Sequence, residues 1–405
     1  MQELMNGEFL KAIEFTAQKL EKVEEEVYVV HHNDADGICS AAILTAALIR
    51  EGKDVKRICI EKVHPKIIEA IHKDKEENII IYTDLGGLAL DEIAKIDGGK
   101  NYVFLIDHHP AVRVESERVV ILDSELLGIS GDVFISASSL AFMVAKGIND
   151  DNRDLAYLAV IGAVGDYHDR YGGVLGVDRL SLEEAISVNQ AKIKIEGVKE
   201  RYYLTEFGLF ADEAAKAFTN LGVVGYLEKG YEVAVESALK KDLSEALKKG
   251  EEYEKVKVEK FNRLISKLKE GGVKKERFVQ WFHAGDDFYP MGIKAIGEFC
   301  QLTKDMSFFD EFKYIIGFQN VYDEIPDLGR LDLNSVKVSG RTPIPLERRV
   351  LSGEMPGLDY LIPEASKKVG GFPDATHKVA AATLIDRGKE EAFVKAFDEV
   401  AAQWG

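Results

Sequence analysis

The chain has 405 residues, 46% of them hydrophobic and 30% charged, and a formal net charge of −18. That length calls for two or three domains, and the hydrophobic content excludes a disordered chain. The acidity excludes a basic nucleic-acid coat over the whole surface, though it leaves room for a local basic track.

The N-terminal stretch MQELMNGEFLKAIEF is acidic and amphipathic rather than signal-like, and no apolar run approaches the roughly 18 residues of a membrane span. Cys39, Cys59 and Cys300 are scattered through apolar segments and read as reduced core residues of a cytoplasmic protein. Abundant Lys and Glu with few prolines lean toward a heat-adapted source.

The elements alternate from the start. A helix over Glu3 to Glu25 leads into a strand from Val27 to His32, a helix from Ser40 to Arg50, a strand around Val55 to Ile60 and a helix from Pro65. A strand from Asn78 to Asp84, a helix from Leu88 to Lys95 and a strand from Asn101 to Asp107 follow. Continuously apolar strands separated by helices predict an α/β fold, a parallel sheet with helices on both faces. A fourth apolar run, AVIGAVG, ends at Asp166 and reads as a further strand end.

Residues 240–277 are richer in Lys and Arg than in Asp and Glu and keep helical spacing until Gly271 and Gly272 break it. RFVQWFHA, the helix MGIKAIGEFCQ and the strands FKYIIGF and SVKVSGR then predict a second, smaller α/β unit. The expected organisation is a catalytic domain over residues 1–190, a helical connector over 191–275 and a C-terminal substrate-binding domain over 276–405.

In parallel sheets reactive groups collect at the carboxyl ends of the strands. Here the strands run straight into HNDADG (His32 to Gly37), into Asp84, and into Asp107, His108 and His109. His32, Asp34 and Asp36 alternate with non-ligands, so an extended chain would place all three on one side, as chelation of a divalent ion requires. Gly37 would let the backbone turn into a helix whose N-terminus favours negative charge.

A lone Asp after a strand is ordinarily a turn or cap residue. The recurrence carries the argument, because so many carboxylates and imidazoles at one edge repel one another without cations. The mixed set favours Mn²⁺ or Mg²⁺ over Zn²⁺, no thiolate being near. Two such ions roughly 3.5–4 Å apart split phosphate esters. His64, His72 and His168 lack a second motif residue and read as surface or supporting groups, and Cys39 as a buried helix residue.

HNDADG, the Asp84 strand end, DHH at Asp107 to His109 and the Gly165–Asp166 pair resemble, in order, the four motifs of the DHH phosphoesterase superfamily. That superfamily contains RecJ-type nucleases, nano-RNA phosphatases and class II pyrophosphatases. The resemblance implies a site for two Mn²⁺ ions, with Mg²⁺ as the alternative. His32 and Asp34 would serve one ion, Asp36, His108 and Asp166 the other, with Asp84 shared. His109 would face the substrate phosphate, and Asp107 would orient its neighbours.

Farther on, VGGFPDATHKVAAATL (Val369 to Leu384) resembles the glycine-rich GGGH-x-x-AAG signature of the domain that accompanies RecJ-like members. His377, Ala380 and Ala381 match its H-x-x-A-A positions, whereas Phe372 to Thr376 separate the glycines from His377 and Ala382 replaces the last Gly. Gly370, Gly371 and His377, with Arg341 of SVKVSGRT, are the implied substrate-binding residues: glycines admit a phosphate to backbone N–H groups and Arg clamps it bidentately. Val30 stands where class II pyrophosphatases carry their first-motif His, which argues against that branch. The long basic connector resembles the archaeal RecJ-like nucleases.

The resemblance implies a metal-dependent exonuclease that releases mononucleotides from single-stranded DNA or RNA ends, with a helicase or repair protein as candidate partner and no membrane. Trp281, Phe282 and Tyr289 are candidate stacking aromatics, each also a good core residue. One alternative keeps the site for short oligoribonucleotides, a nucleoside bisphosphate or a cyclic dinucleotide, favoured by the net negative charge. Another is a replication or repair scaffold without catalysis, against which the full set of motif residues argues.

Overall fold

The computed structural model describes residues 7–22 and 24–404, with 372–375 described through the backbone alone. The chain divides into two compact units, Met1–Tyr253 with Pro326–Leu331, and Glu254–Ile325 with Asp332–Gly405.

The first unit is built on five parallel strands, β1 (Val27–His31), β2 (Val55–Cys59), β3 (Ile79–Thr83), β4 (Tyr102–Asp107) and β5 (Val119–Asp123), in the order β2-β1-β3-β4-β5. The chain steps outward from β1 to β2 and returns past β1 to β3. The direction of winding therefore reverses between β1 and β3, and in such sheets ligands bind beyond the carboxyl ends of the strands at that point.

Among the helices are α1 (Gly7–Glu21), α2 (Ala35–Arg50), α3 (Pro65–His72), α4 (Leu90–Asp97), α5 (Ala137–Ile148) and α6 (Ala156–Gly165). Right-handed crossovers put α2 on one face of the sheet and α3 and α4 on the other. Along β3 the pleat sends Ile79 and Ile81 into the core shared with α2, α5 and α6, while Ile80 and Tyr82 are equally buried on the opposite side. Both faces being covered explains why the strand reads as one apolar run. Helix α2 is apolar nearly all round because it packs between the sheet and the pair α5 and α6.

Two boundaries differ from the sequence expectation, and both move site residues. Helix α2 starts at Ala35 rather than Ser40, because the Asp34 carboxylate caps it by accepting the Gly37 N–H at 3.2 Å. His32, Asp34 and Asp36 thus sit on a strand-to-helix turn, not on extended chain. Gly37 has no room for a side chain there: an added Cβ would lie 2.5 Å from the His32 carbonyl oxygen. Asp166 follows a helix, α6, rather than a strand; a fully buried run such as AYLAVIGAVG lacks the periodicity that separates the two.

The stretch expected as a helical connector also differs. It holds α8 (Ala211–Thr219) and α9 (Gly230–Leu239), preceded by α7 (Gly176–Ser187) and by a small antiparallel sheet of β6 (Ala191–Glu196), β7 (Lys199–Leu204) and β8 (Leu209–Phe210). Phe218, Tyr231 and Val235 bury in the core of the first unit. The basic amphipathic segment is the 24-residue helix α10 (Ser244–Lys267).

The second unit carries a six-stranded sheet of β9 (Lys274–Lys275), β10 (Val279–His283), β11 (Tyr314–Asn320), β12 (Ser335–Arg341), β13 (Phe372–Thr376) and β14 (Ala380–Asp386). Its order is β13-β14-β12-β11-β10-β9, antiparallel except between β10 and β11. Helices α11 (Ala295–Thr303), α12 (Ile344–Leu351), α13 (Leu358–Val369) and α14 (Glu390–Ala402) complete it. Trp281 and Phe282 are core residues of this unit; Tyr289 is about half exposed. Among the described residues no helix is long and apolar enough to cross a membrane.

Candidate metal centre

The carboxyl ends of β1, β3 and β4 and the C-terminus of α6 converge on one buried cluster. Asp84 sits just past β3 in the left-handed region (φ 62°), a conformation that Asp tolerates better than most residues. Its two oxygens face different neighbours. Oδ2 lies 3.3 Å from His32 Nδ1, which is also 2.9 Å from Asp34 Oδ2. Oδ1 lies 3.3 Å from His108 Nε2, and that nitrogen is 3.8 Å from both Asp36 Oδ2 and Asp166 Oδ2. Asp84 thus joins two halves, His32 with Asp34 on one side and Asp36, His108 and Asp166 on the other.

Each group is held from behind. His108 Nδ1–H donates to the Gly131 carbonyl at 2.9 Å, which turns Nε2 toward the carboxylates. Gly131 is obligatory at that contact, since a Cβ would fall 1.7 Å from the His108 carbonyl oxygen. The Asp36 carboxylate accepts N–H bonds from Ala137 (2.7 Å) and Ser138 (3.0 Å), the first turn of α5. Asp107 Oδ1 takes the His108 N–H (2.8 Å) and lies 2.9 Å from His109 Nδ1. His109 keeps about half its side chain exposed.

His168 and Asp178 extend the network beyond the motif residues. His168 is buried, with Nε2 2.9 Å from Asp166 Oδ2 and Nδ1 2.6 Å from Asp178 Oδ2. Asp178 Oδ1 accepts from Ser136, the N-cap of α5, through N–H (2.9 Å) and Oγ–H (3.0 Å). The chain Asp166, His168, Asp178, Ser136 therefore closes onto the helix end that holds Asp36. Sequence reasoning set His168 aside; the signal available was its place two residues after Asp166, the same alternation as in HNDAD.

Burial and the neighbouring Asp84 charge push the Asp36 carboxyl above the usual carboxylate range. Burial opposes charge on His108, but Asp84, then Asp36 and Asp166, outweigh it and push its pKa well above the ordinary imidazole value. Against the same penalty, Asp107 lifts His109 to about 9, and Asp166 with Asp178 lifts His168 to about 10. The shared cause is the concentration of carboxylates around these groups.

Within the cluster His108 Nε2 and His168 Nε2 are buried and, among the described residues, lie close to carboxylates without forming a hydrogen bond of good geometry. Three donor sets lie with their atoms within 4.8 Å of one another: His32, Asp34 and Asp84; Asp84, Asp107, His108 and His109; His108, Asp166 and His168. Carboxylate oxygens and imidazole nitrogens together, with no thiolate, suit a hard or borderline divalent cation.

The residues expected to bind substrate lie in the second unit and do not all converge. Arg341, at the end of β12, pairs in register with Ala380, whose carbonyl accepts the His377 N–H at 2.8 Å. The Arg341 guanidinium donates to Gln301 (3.1 Å), Ser339 Oγ (3.2 Å) and the Gly340 carbonyl (2.7 Å). Gly370 and Gly371 stand toward the other end of β14, since Phe372 pairs with Leu384, four residues or about 13 Å from Ala380. Gly370 (φ 73°) is the left-handed cap of α13 and Gly371 packs against Leu384 and Ile385. Gly370 and Gly371, expected among the substrate-binding residues, end a helix here, apart from Arg341 and His377 along the sheet.

The fold and cluster define an α/β protein with an acidic and imidazole centre at the switch point of a parallel sheet. Residues 26–163 match the family model described as DHH family, N-terminal domain. An uncharacterized protein of Methanocaldococcus jannaschii is 30% identical over 172 residues, which is 41% of this chain and 38% of that protein. RecJ from Thermus thermophilus, solved with Mn²⁺, is similar in fold (TM-score 0.63, 15% identity), the match covering 98% of this chain and 55% of RecJ. CDC45 from Entamoeba histolytica matches at TM-score 0.53 and 12% identity over 98% of this chain and 100% of its own. The matches thus span well under two thirds of the archaeal relative and of the Thermus protein. Residues 26–163 are thus similar to the DHH family's N-terminal domain, and the fold is similar to that of RecJ.

Proposed function

We propose that the cluster binds two divalent cations, Mn²⁺ or Mg²⁺, and that the protein is a metal-dependent phosphoesterase acting on the ends of single-stranded nucleic acid. The observation that carries this reading is the buried His108 Nε2 with the carboxylates of Asp84 at 3.3 Å and of Asp36 and Asp166 at 3.8 Å around it. His32 and Asp34 would hold one ion, Asp36, His108 and Asp166 the other, and Asp84 both. Such a pair, when bound, supplies an activated water and neutralises charge on a phosphate.

The protein's own groups do the rest. The N–H groups of Ala137 and Ser138 fix the Asp36 carboxylate, and Gly131 fixes the His108 ring so that Nε2 faces inward. Asp107 raises the pKa of the His109 imidazole, and the exposed edge of the ring would donate an N–H to a substrate phosphate oxygen. Arg341 and His377 are proposed as the substrate grip of the second unit.

The net charge of −18 favours short strands, because a long polyanion is repelled by the acidic surface away from the site. A time course with 5′- and 3′-labelled single strands of both sugars, two and thirty nucleotides long, with and without Mn²⁺, tests the reading. Mn²⁺-dependent loss of terminal nucleotides is expected, falling at least about 10³-fold in Asp84→Asn. Hydrolysis that survives that substitution, or none with Mn²⁺ in the wild type, contradicts it.

A further inference from the structure

The loop that follows α6 carries a feature the metal centre does not use. Tyr167 stands between Asp166 and His168 with φ 60° and 73% of its surface exposed. Its backbone completes a helix C-terminus: His168 N–H reaches the Ala163 carbonyl at 3.0 Å and Tyr167 N–H the Val164 carbonyl at 3.1 Å. That is a Schellman turn, whose left-handed position normally takes glycine because a Cβ is strained there. A bulky ring at this place works against local stability.

The rest of the loop is fixed. His168 is held by Asp178, Asp169 by Lys199 at 2.7 Å, and Arg170 by the Asp132 carbonyl at 2.6 Å. The Gly172 carbonyl accepts the Glu200 N–H, and the Val174 N–H donates to the Tyr202 hydroxyl. Beside these tied residues, Tyr167 and Tyr171 present their rings to solvent, Tyr171 being 65% exposed with the Arg170 guanidinium 5.0 Å from its ring centre.

We infer that Tyr167 and Tyr171, stiffened by Arg170, form a stacking platform for a nucleobase of the strand whose phosphate enters the metal centre. Exposed aromatic rings on a rigid backbone, one of them flanked by two members of the acidic cluster, suit the π-face of any base and predict little sequence preference. A strained, solvent-facing ring also accounts for a tyrosine where folding alone selects glycine. The inference rests on the phosphoesterase reading for the origin of the strand, but its binding test does not.

The test compares a short single strand with the same strand bearing a base-less terminal sugar. Binding is read by fluorescence anisotropy in chelator, and KM with Mn²⁺. Wild type is expected to bind the base-bearing strand about 10-fold more tightly, and Tyr167→Gly to lose that preference while melting at the same or a higher temperature. Tyr167→Phe should keep the preference. Equal affinity of the wild type for both strands, no measurable binding of either, or a preference that survives Tyr167→Gly together with Tyr171→Gly overturns the platform. Wild type that prefers the base yet hydrolyses neither strand leaves the platform supported and contradicts the phosphoesterase reading instead.

Discussion

At the scale of single residues, the molecule pairs its buried charges by the same device in two places. In the metal centre carboxylates surround imidazoles. On the far face of the sheet, His72 Nδ1 meets Asp97 Oδ1 at 2.7 Å and Nε2 meets the Tyr82 hydroxyl at 3.0 Å, while Asp97 also takes the Asn101 side-chain N–H at 2.6 Å. Burial would raise the Asp97 carboxyl, but His72 and Asn101 prevail and hold it down at about 2. A carboxyl depressed in the folded state stabilises the fold above its unfolded pKa, near 3.9, and that contribution fades as pH falls toward 2. Asp97→Asn should therefore cost about 1–3 kcal/mol at pH 7, with the gap to wild type closing between pH 4 and pH 2 in denaturant titrations. A gap independent of pH would show that charge on Asp97 contributes nothing.

At the scale of elements, the site depends on how helix ends are placed. The N-terminus of α5 grips Asp36, and the C-terminus of α6 carries Asp166, where the helix dipole disfavours an anion. Ser136, Asp178 and His168 couple these two ends. Asp178→Ala should lower Mn²⁺ affinity about 10- to 100-fold by calorimetry while circular dichroism shows the helices intact. Unchanged affinity would reduce Asp178 to packing. This coupling was not legible in the sequence, because Ser136 and Asp178 belong to no motif and meet only through tertiary packing. The helical nature of the run before Asp166 was hidden for a different reason: burial on all sides erases periodicity. The early start of α2 was hidden too, since Asp34 acts at once as cap and as site residue.

At the scale of the whole molecule, the alternating pattern of residues 27–107 did disclose the parallel sheet, because continuous apolar strands and intervening helices leave few other arrangements. It also disclosed the convergence of His32, Asp34, Asp36, Asp84 and His108, since strand ends in such a sheet share one edge; Asp166 reaches the same cluster from the end of a helix. The helix-ending place of Gly370 and Gly371 was not legible, as adjacent glycines serve helix caps and phosphate loops alike. The account as a whole stands on one claim, that these six side chains hold a pair of divalent cations. Anomalous diffraction from crystals grown with Mn²⁺ tests it most directly. Two peaks about 3.5–4 Å apart, one bordered by His32 and Asp34, the other by Asp36, His108 and Asp166, and both by Asp84, are the expected result. Manganese density elsewhere on the protein, or none within this ring at saturating metal, contradicts the account.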